Sequence, residues 1–344
     1  MERTGTLEAI ETAAEHDLLA RAFRDRLQRL GIAATGGVLR VESAIPIARG
    51  LGSSAAAIVA GLALADEAAG RPFDPPAALA DALAHEPHPD NLGAALLGGL
   101  VAAVPARPGS SRGAAAPGAA FVSEREAAIS DRDAPIQPGA AATRALRLFR
   151  LPLSPDVGFA FAAPAATLAT AAARAALPAA VPHALAARSA ARAIALVRGL
   201  QQADPALLAI AFDDELHVPH RLPLIHGASA ARNAALDAGA WAVTISGAGS
   251  GLIAVCEPDR AAAVASAMRV AFDAAAGAAS RAAGDLSSAA GAASRAAGHL
   301  AGGAAGEAIG FVARPDLEGV RVTGSRHRVA GGPARSTPAE RGSA

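Results

Sequence analysis

The sequence predicts a mixed α/β protein, and three observations carry that expectation. Apolar residues recur at helical spacing before Gly31, at Leu18, Leu19, Ala22, Phe23, Leu27 and Leu30. GVLRVESAIP then alternates apolar and polar residues from Val38 to Ile45, the period of a half-buried strand. Glycine and proline punctuate the chain between such segments, so that a strand pattern repeatedly gives way to a helix pattern.

The elements follow in order. A helix is expected over Leu7–Leu30 and a strand over Val38–Ile45, closed by Pro46. A glycine-rich loop leads into an apolar helix over Ser53–Ala69, and a further helix spans Pro75–His85. Leu96–Val104 leads through a turn into a strand, and RALRLFRLPL and VGFAFAAP supply two strand-like runs within Arg144–Phe161. Helices are expected over Leu168–Ala176, His183–Arg198, Pro205–Asp214, Ala230–Ala238 and Asp259–Ala275. AWAVTISG and GLIAVCE form partner strands, and 310–322 adds an edge strand.

Three stretches stand apart. Residues 107–142 shift to Pro, Gly, Ala, Ser and scattered charge, the composition of a flexible surface insertion. AAGAASRAAG occurs at 275–284 and again at 289–298, which two copies cannot turn into a solenoid, so an expansion within a surface loop is expected. The end of the chain, rich in Gly, Arg, Ser and Pro, reads as a disordered tail.

Composition excludes several classes. The 344 residues are 52% hydrophobic but only 3% aromatic, with one Trp and no Tyr, so a core must rest on Leu, Ile, Val and Ala. Acidic and basic residues balance at 31 each, which gives no electrostatic footprint for nucleic acid or an anionic membrane. No apolar run approaches the ~18 residues of a membrane span, and MERTGTLEAIETAAEHD lacks the apolar core of a signal peptide. A cytoplasmic location is therefore expected. Cys256 is the sole cysteine, in the apolar run GLIAVCEP, where a buried structural thiol is expected and a disulfide or cysteine metal cluster is excluded. The chain contains no lysine at all, which excludes Walker-type nucleotide loops and protein kinases, since both need one at the terminal phosphates.

The loop Pro46, Ile47, Ala48, Arg49, Gly50, Leu51, Gly52, Ser53, Ser54, Ala55, Ala56 lies between the strand and the helix. Gly50 and Gly52 permit positive φ and close backbone approach. Successive N–H groups and the helix start can then cradle phosphate oxygens, while Ser53 and Ser54 offer hydroxyls. A serine-capped helix after a tight glycine turn is the structural alternative. EPHPDN, Glu86–Asn91, packs two carboxylates, an imidazole and an amide between prolines that hold the chain out of a helix. Glu86 or Asp90 there could hold Mg2+; a polar connection with Asp90 or Asn91 as N-cap is the alternative. TISGAGSG, Thr244–Gly251, is either a second phosphate-side loop, through Gly247 and Gly249, or a hairpin turn.

Together, in this order, the three segments resemble the GHMP family of small-molecule kinases. The first matches the family's P-x-x-x-G-L-G-S-S-A-A pattern at every position. Within the family, E-x-H-P-D-N followed by LGAALLGGLVAAV, and LHVPHRLPLIHGASAARNAALDAGAWAVTISGAG, resemble the branch that acts on homoserine. The resemblance runs from about Asp17 to Val322, interrupted at 107–142 and in the duplicated segment.

The resemblance implies a two-domain α+β fold: an N-terminal α/β sandwich over 1–155 and a ferredoxin-like domain over 156–323, followed by the tail at 324–344. It implies that Pro46–Ala56, with Gly247 and Gly249, binds ATP, and that Ser53, Ser54 and Glu86 hold Mg2+. His88, Arg174 and Arg221 would bind L-homoserine, the arginines at its carboxylate; by themselves these arginines read as surface charges. No general base stands out, in keeping with catalysis by positioning and charge neutralisation. Family analogy allows a homodimer, and no nucleic acid or membrane partner is expected.

The sequence also departs from the family pattern. Pro87 follows Glu86 where the family has glycine, and Ser250-Gly251 replace proline followed by Ser or Thr. The family's first motif, resembling A-T-S-A-N-L-G-P-G-F-D, has no counterpart, so strands of the first sheet and part of the core are expected to be missing. That leaves open a misplaced start, a decayed non-catalytic remnant, or a family kinase acting on another alcohol.

Overall fold

A computed structural model of the protein describes residues 1–8, 10–33, 36–105, 121–122, 146–289 and 307–323. Most of the expected insertion, the second copy of the duplication beyond residue 289, and the expected tail lie outside the described residues.

Among the described residues, the first half is built from helices and two small sheets. β1 (Glu2–Gly5), not foreseen in the sequence, pairs in parallel with β2 (Arg40–Ser43), which is shorter than the expected strand. α1 spans Leu18–Arg29, not Leu7–Leu30. Two contacts explain the late start. Asp17 caps the helix, its carboxylate accepting from the Ala20 N–H at 3.0 Å. Arg3 donates to the carbonyls of Ile10 and Thr12 and to Asp17, at 3.1, 2.8 and 3.0 Å, so those carbonyls are engaged outside any helix.

α2 (Ser53–Ala68) crosses α1 closely at Gly61, where a Cβ would meet the Ala22 side chain at 3.0 Å. α3 (Pro75–His85) begins as expected, with Asp74 as N-cap and proline in the first turn. α4 (Pro89–Leu97) corrects the reading of EPHPDN as a loop. His88 is the N-cap and Pro89 starts the helix, where a missing N–H costs nothing.

β3 (Leu100–Pro105) runs antiparallel to β5 (Leu146–Leu151), whose other edge pairs in parallel with β4 (Phe121–Val122). Ile58, Val59 and Leu62 of α2, Leu79 of α3, Leu92 and Leu96 of α4 and Leu148 of β5 form the core. Arg26 ties the helices together from inside: it donates to both Asp66 oxygens, at 2.9 and 3.0 Å, and to Asp81 at 2.7 Å.

The second half is a four-stranded antiparallel sheet. β6 (Gly158–Ala163), β7 (Ala242–Ile245), β8 (Leu252–Cys256) and β9 (Ile309–Ala313) take the order β7-β8-β6-β9, a ferredoxin-like arrangement with β9 at the edge, as expected. Between β6 and β7 come α5 (Thr170–Ala175), α6 (His183–Gln202), α7 (Pro205–Phe212), α8 (Val218–Arg221), a 3₁₀ turn (Leu222–Leu224) and α9 (Ala228–Asp237).

Both sheet faces are covered, which explains the nearly continuous apolar strands. Leu252 and Ala254 of β8 pack with α9 and with Val264, Met268 and Phe272 of α10 (Ala261–Ala289); Val255 faces Leu200 and Leu208 instead. α10 runs well past the expected Ala275 and takes the first AAGAASRAAG copy into helix, not a loop. Alanine has the strongest intrinsic helix propensity, so the repeat continues the preceding turns. By length and composition Pro258–Arg281 could cross a membrane, yet its Val264, Met268 and Phe272 are buried on the sheet.

After β9 the chain returns to the first half. The Gly99 N–H donates to the Asp316 carbonyl at 2.6 Å, the Val320 N–H to the Leu96 carbonyl at 3.3 Å, and Val320 packs on the first core.

Candidate active site

A cavity of about 1000 Å³ opens between the two halves. One wall is the glycine-rich loop. Ala48, Gly50 and Gly52 have φ of 56°, 81° and 71°, so the backbone turns repeatedly in the left-handed region. Gly52 precedes α2 without a side-chain cap, which leaves the first helical N–H groups available to an anion in the cavity.

The second glycine loop, 246–251, is the turn between β7 and β8, the hairpin reading of TISGAGSG, and it also lies against the first loop. The Ser246 hydroxyl donates to the Gly50 carbonyl at 2.9 Å, and a Cβ on Gly50 would overlap the Ser246 carbonyl oxygen. Only glycine allows that approach.

Arg49 does not point into the cavity. Its guanidinium donates to the carbonyls of Ala166 and Ala165, at 2.5 and 2.6 Å, and to the Ser250 hydroxyl at 3.2 Å. It thereby straps the loop to the second half, and burial lowers its pKa. Pro46, Leu51 and Ala56 likewise lie outside the cavity lining. Ile47, Ala48, Gly50, Gly52, Ser53, Ser54, Ala55, Gly247 and Gly249 are within it.

The start of α4 faces the loop, with Asn91 close to Gly52. There the structure links Glu86, His88 and Arg174 into a chain: Arg174 contacts Nε2 of His88, and Nδ1 of His88 contacts the Glu86 carboxylate. A guanidinium only donates, so Nε2 is the acceptor and Nδ1 carries the proton given to Glu86.

Arg221, on α8, donates to the Ala173 carbonyl at 3.0 Å and reaches the Gly247 carbonyl at 3.5 Å. Its pKa is lowered, first by burial and then by the neighbouring Arg174 charge, with Asp214 acting in the opposite direction. Two guanidiniums that raise each other's cost in one cleft are suited to a bound carboxylate.

All of Ser53, Ser54, Glu86, His88, Arg174 and Arg221 line this one cavity. The described residues hold no group of three or more His, Cys, Asp or Glu that could share a metal ion. One carboxylate with two hydroxyls nevertheless suits Mg2+, which takes few protein ligands and completes its shell with phosphate and water. The sequence reading missed Asp214 and His217, which line the same cavity. Their one legible signal, Asp-x-x-His ahead of a proline, is indistinguishable from an ordinary capped turn. Cys256 is buried as expected, its thiol pushed up to about 11 by burial.

Known proteins match the chain on both sides of this cavity. The family described as GHMP kinases N terminal domain matches residues 17–99, and GHMP kinases C terminal matches 196–274. A homoserine kinase of Synechococcus sp. is 35% identical over 257 residues, 75% of this chain and 71% of that protein. One from Prochlorococcus marinus is 34% identical over 259 residues, with the same coverage. Among solved structures, a homoserine kinase from Cytophaga hutchinsonii superposes with a TM-score of 0.60 at 24% identity, over 80% of this chain and 77% of that one.

Proposed function

This chain belongs to the GHMP kinase family of phosphotransferases, and from that premise we propose that it transfers the γ-phosphoryl group of ATP to the side-chain hydroxyl of L-homoserine. The products are O-phospho-L-homoserine, a threonine precursor, and ADP, and the reaction takes place in the cytoplasm. The observation that carries the reading is the meeting of a phosphate-type glycine loop and the Arg174–Arg221 pair in one cavity.

Loop N–H groups from Gly50 to Ala55 hold the polyphosphate, and the second loop, through Gly247 and Gly249, closes against it. Glu86 with Ser53 or Ser54 would hold Mg2+, which supplies charge neutralisation on the phosphates when bound. Arg174 and Arg221 take the acceptor's carboxylate, and His88, oriented by Glu86, lies between metal side and acceptor side. The acceptor oxygen bonds to the γ-phosphorus as the bond to ADP breaks, and the hydroxyl proton leaves to phosphate or solvent. Positioning and charge neutralisation carry the rate, without a dedicated base.

The reading is tested by ADP release with ATP and Mg2+ across a set of alcohols. L-homoserine should give a kcat/KM at least about tenfold above L-serine, glycerol or galactose, a margin of ~1.4 kcal/mol. A preference for an acceptor without a carboxylate would refute it.

A further inference from the structure

An α-amino acid brings an ammonium one carbon from its carboxylate, so a site that fixes the carboxylate with Arg174 and Arg221 needs an acceptor beside them. His217 stands at that position. It precedes α8, and the Arg221 N–H donates to the His217 carbonyl at 3.0 Å, so the two residues are one helical turn apart. Both line the cavity.

The ring is held from behind. Asp214 Oδ2 lies 2.9 Å from His217 Nδ1, while Asp214 Oδ1 accepts the N–H groups of Leu216 and His217 at 2.7 and 3.1 Å. Both carboxylate oxygens thus accept hydrogen bonds in the turn, Oδ2 from the ring that it orients, while Asp214 also lines the cavity with 28% of its side chain exposed. Nδ1–H points to Asp214, which leaves Nε2 as an acceptor in the neutral imidazole. Among the described residues Nε2 has no hydrogen-bond partner, and 46% of the His217 side chain is exposed. Arg192, the other guanidinium on this wall, is engaged by Asp213 and Glu215.

We propose that His217, oriented by Asp214, accepts a hydrogen bond from the ammonium of the amino-acid acceptor and so selects an α-amino acid over its deaminated analogue. The inference rests on homoserine being the acceptor. A role as base for the hydroxyl is disfavoured, because that group lies at the other end of the acceptor, towards the phosphate loop.

The test compares the wild type with His217→Ala, His217→Gln and Asp214→Asn. It measures kcat/KM for L-homoserine and the competitive inhibition constant of 4-hydroxybutyrate, which keeps the hydroxyl and carboxylate but lacks the amine. His217→Ala should lower kcat/KM for homoserine about 10- to 100-fold, chiefly through KM, the loss of one charge-assisted hydrogen bond. Inhibition by 4-hydroxybutyrate should change by less than about twofold, and His217→Gln, which restores an acceptor oxygen, should recover part of the loss. Asp214→Asn should move the same ratio in the same direction. Equal losses towards both compounds, or no loss for homoserine, would overturn the inference. KM for ATP reports whether each variant is folded; if His217→Ala is not, the glutamine variant decides: a partial loss towards homoserine with 4-hydroxybutyrate inhibition unchanged supports the inference, and no loss or equal losses overturn it. A wild type unable to phosphorylate homoserine would instead remove the proposed function, and this inference with it.

Discussion

At the scale of single residues, Arg221 shows how a side chain can be anchored and still present donors to a cavity. Nε is held by the Ala173 carbonyl, which fixes the guanidinium plane. The remaining donors face the cavity near Gly247 and Arg174. Arg221→Lys keeps the charge but loses the planar fork. KM for homoserine should rise about 10- to 100-fold, the worth of a charge-assisted hydrogen bond, with KM for ATP unchanged. Steady-state kinetics with each substrate varied in turn check this; a matching rise in KM for ATP would show that the residue serves the loop instead. Glu86 and His88 stood out in the sequence within the polar cluster EPHPDN, whereas Arg174 and Arg221 came only from the family resemblance, since isolated arginines are common in this chain. The strapping role of Arg49 was not, since its partners Ala165 and Ala166 lie 116 and 117 residues away. His217 was hidden for another reason: its orienting carboxylate sits three residues off, where it mimics a cap.

Among the elements, α3 was read to the residue because Asp74 and the prolines after it announce a helix start locally. Pro89 misled the reading, since the same missing N–H that breaks a helix interior is harmless at its first position. The start of α1 depends on Arg3, a tertiary contact that no local pattern contains. α3 also carries a titrating group. His85 is buried against α1, with 5% of its side chain exposed and Asp25 at 3.6 Å. Its pKa is lowered, mainly by burial; Arg21 and Arg29 reinforce the shift, and Asp25 and Asp81 oppose it. Below the unfolded value of ~6.5 the unfolded chain therefore binds the proton more readily than the native one. Stability is retained above that pH and lost as pH falls from it towards the native value. Thermal melts between about pH 7.5 and about pH 5.5 should show a declining Tm, and the decline should be shallower in His85→Leu. Parallel curves for the two proteins would contradict this assignment.

For the whole molecule, links among the described residues bind the halves around the cavity: Arg49 to the chain after β6, Ser246 to Gly50, Arg174 to His88, and residues 316–320 to the end of α4. The two sides of the site are thus set against each other by side-chain and backbone donors, some of them meeting at Gly50 and Gly99. Apolar periodicity carried the mixed α/β class, the two-domain architecture came from the family resemblance, and the glycine-rich loop was legible because its residues are contiguous. The interlock was not, because it joins loops about 200 residues apart, and sequence periodicity carries no information on such pairs. Phosphorus NMR of the protein with ATP, Mg2+ and L-homoserine tests whether this interlocked cavity moves a phosphoryl group onto homoserine. A phosphomonoester resonance coupled to a methylene group should grow in step with ADP. ATP left intact, or converted only to ADP and inorganic phosphate, would refute the transfer.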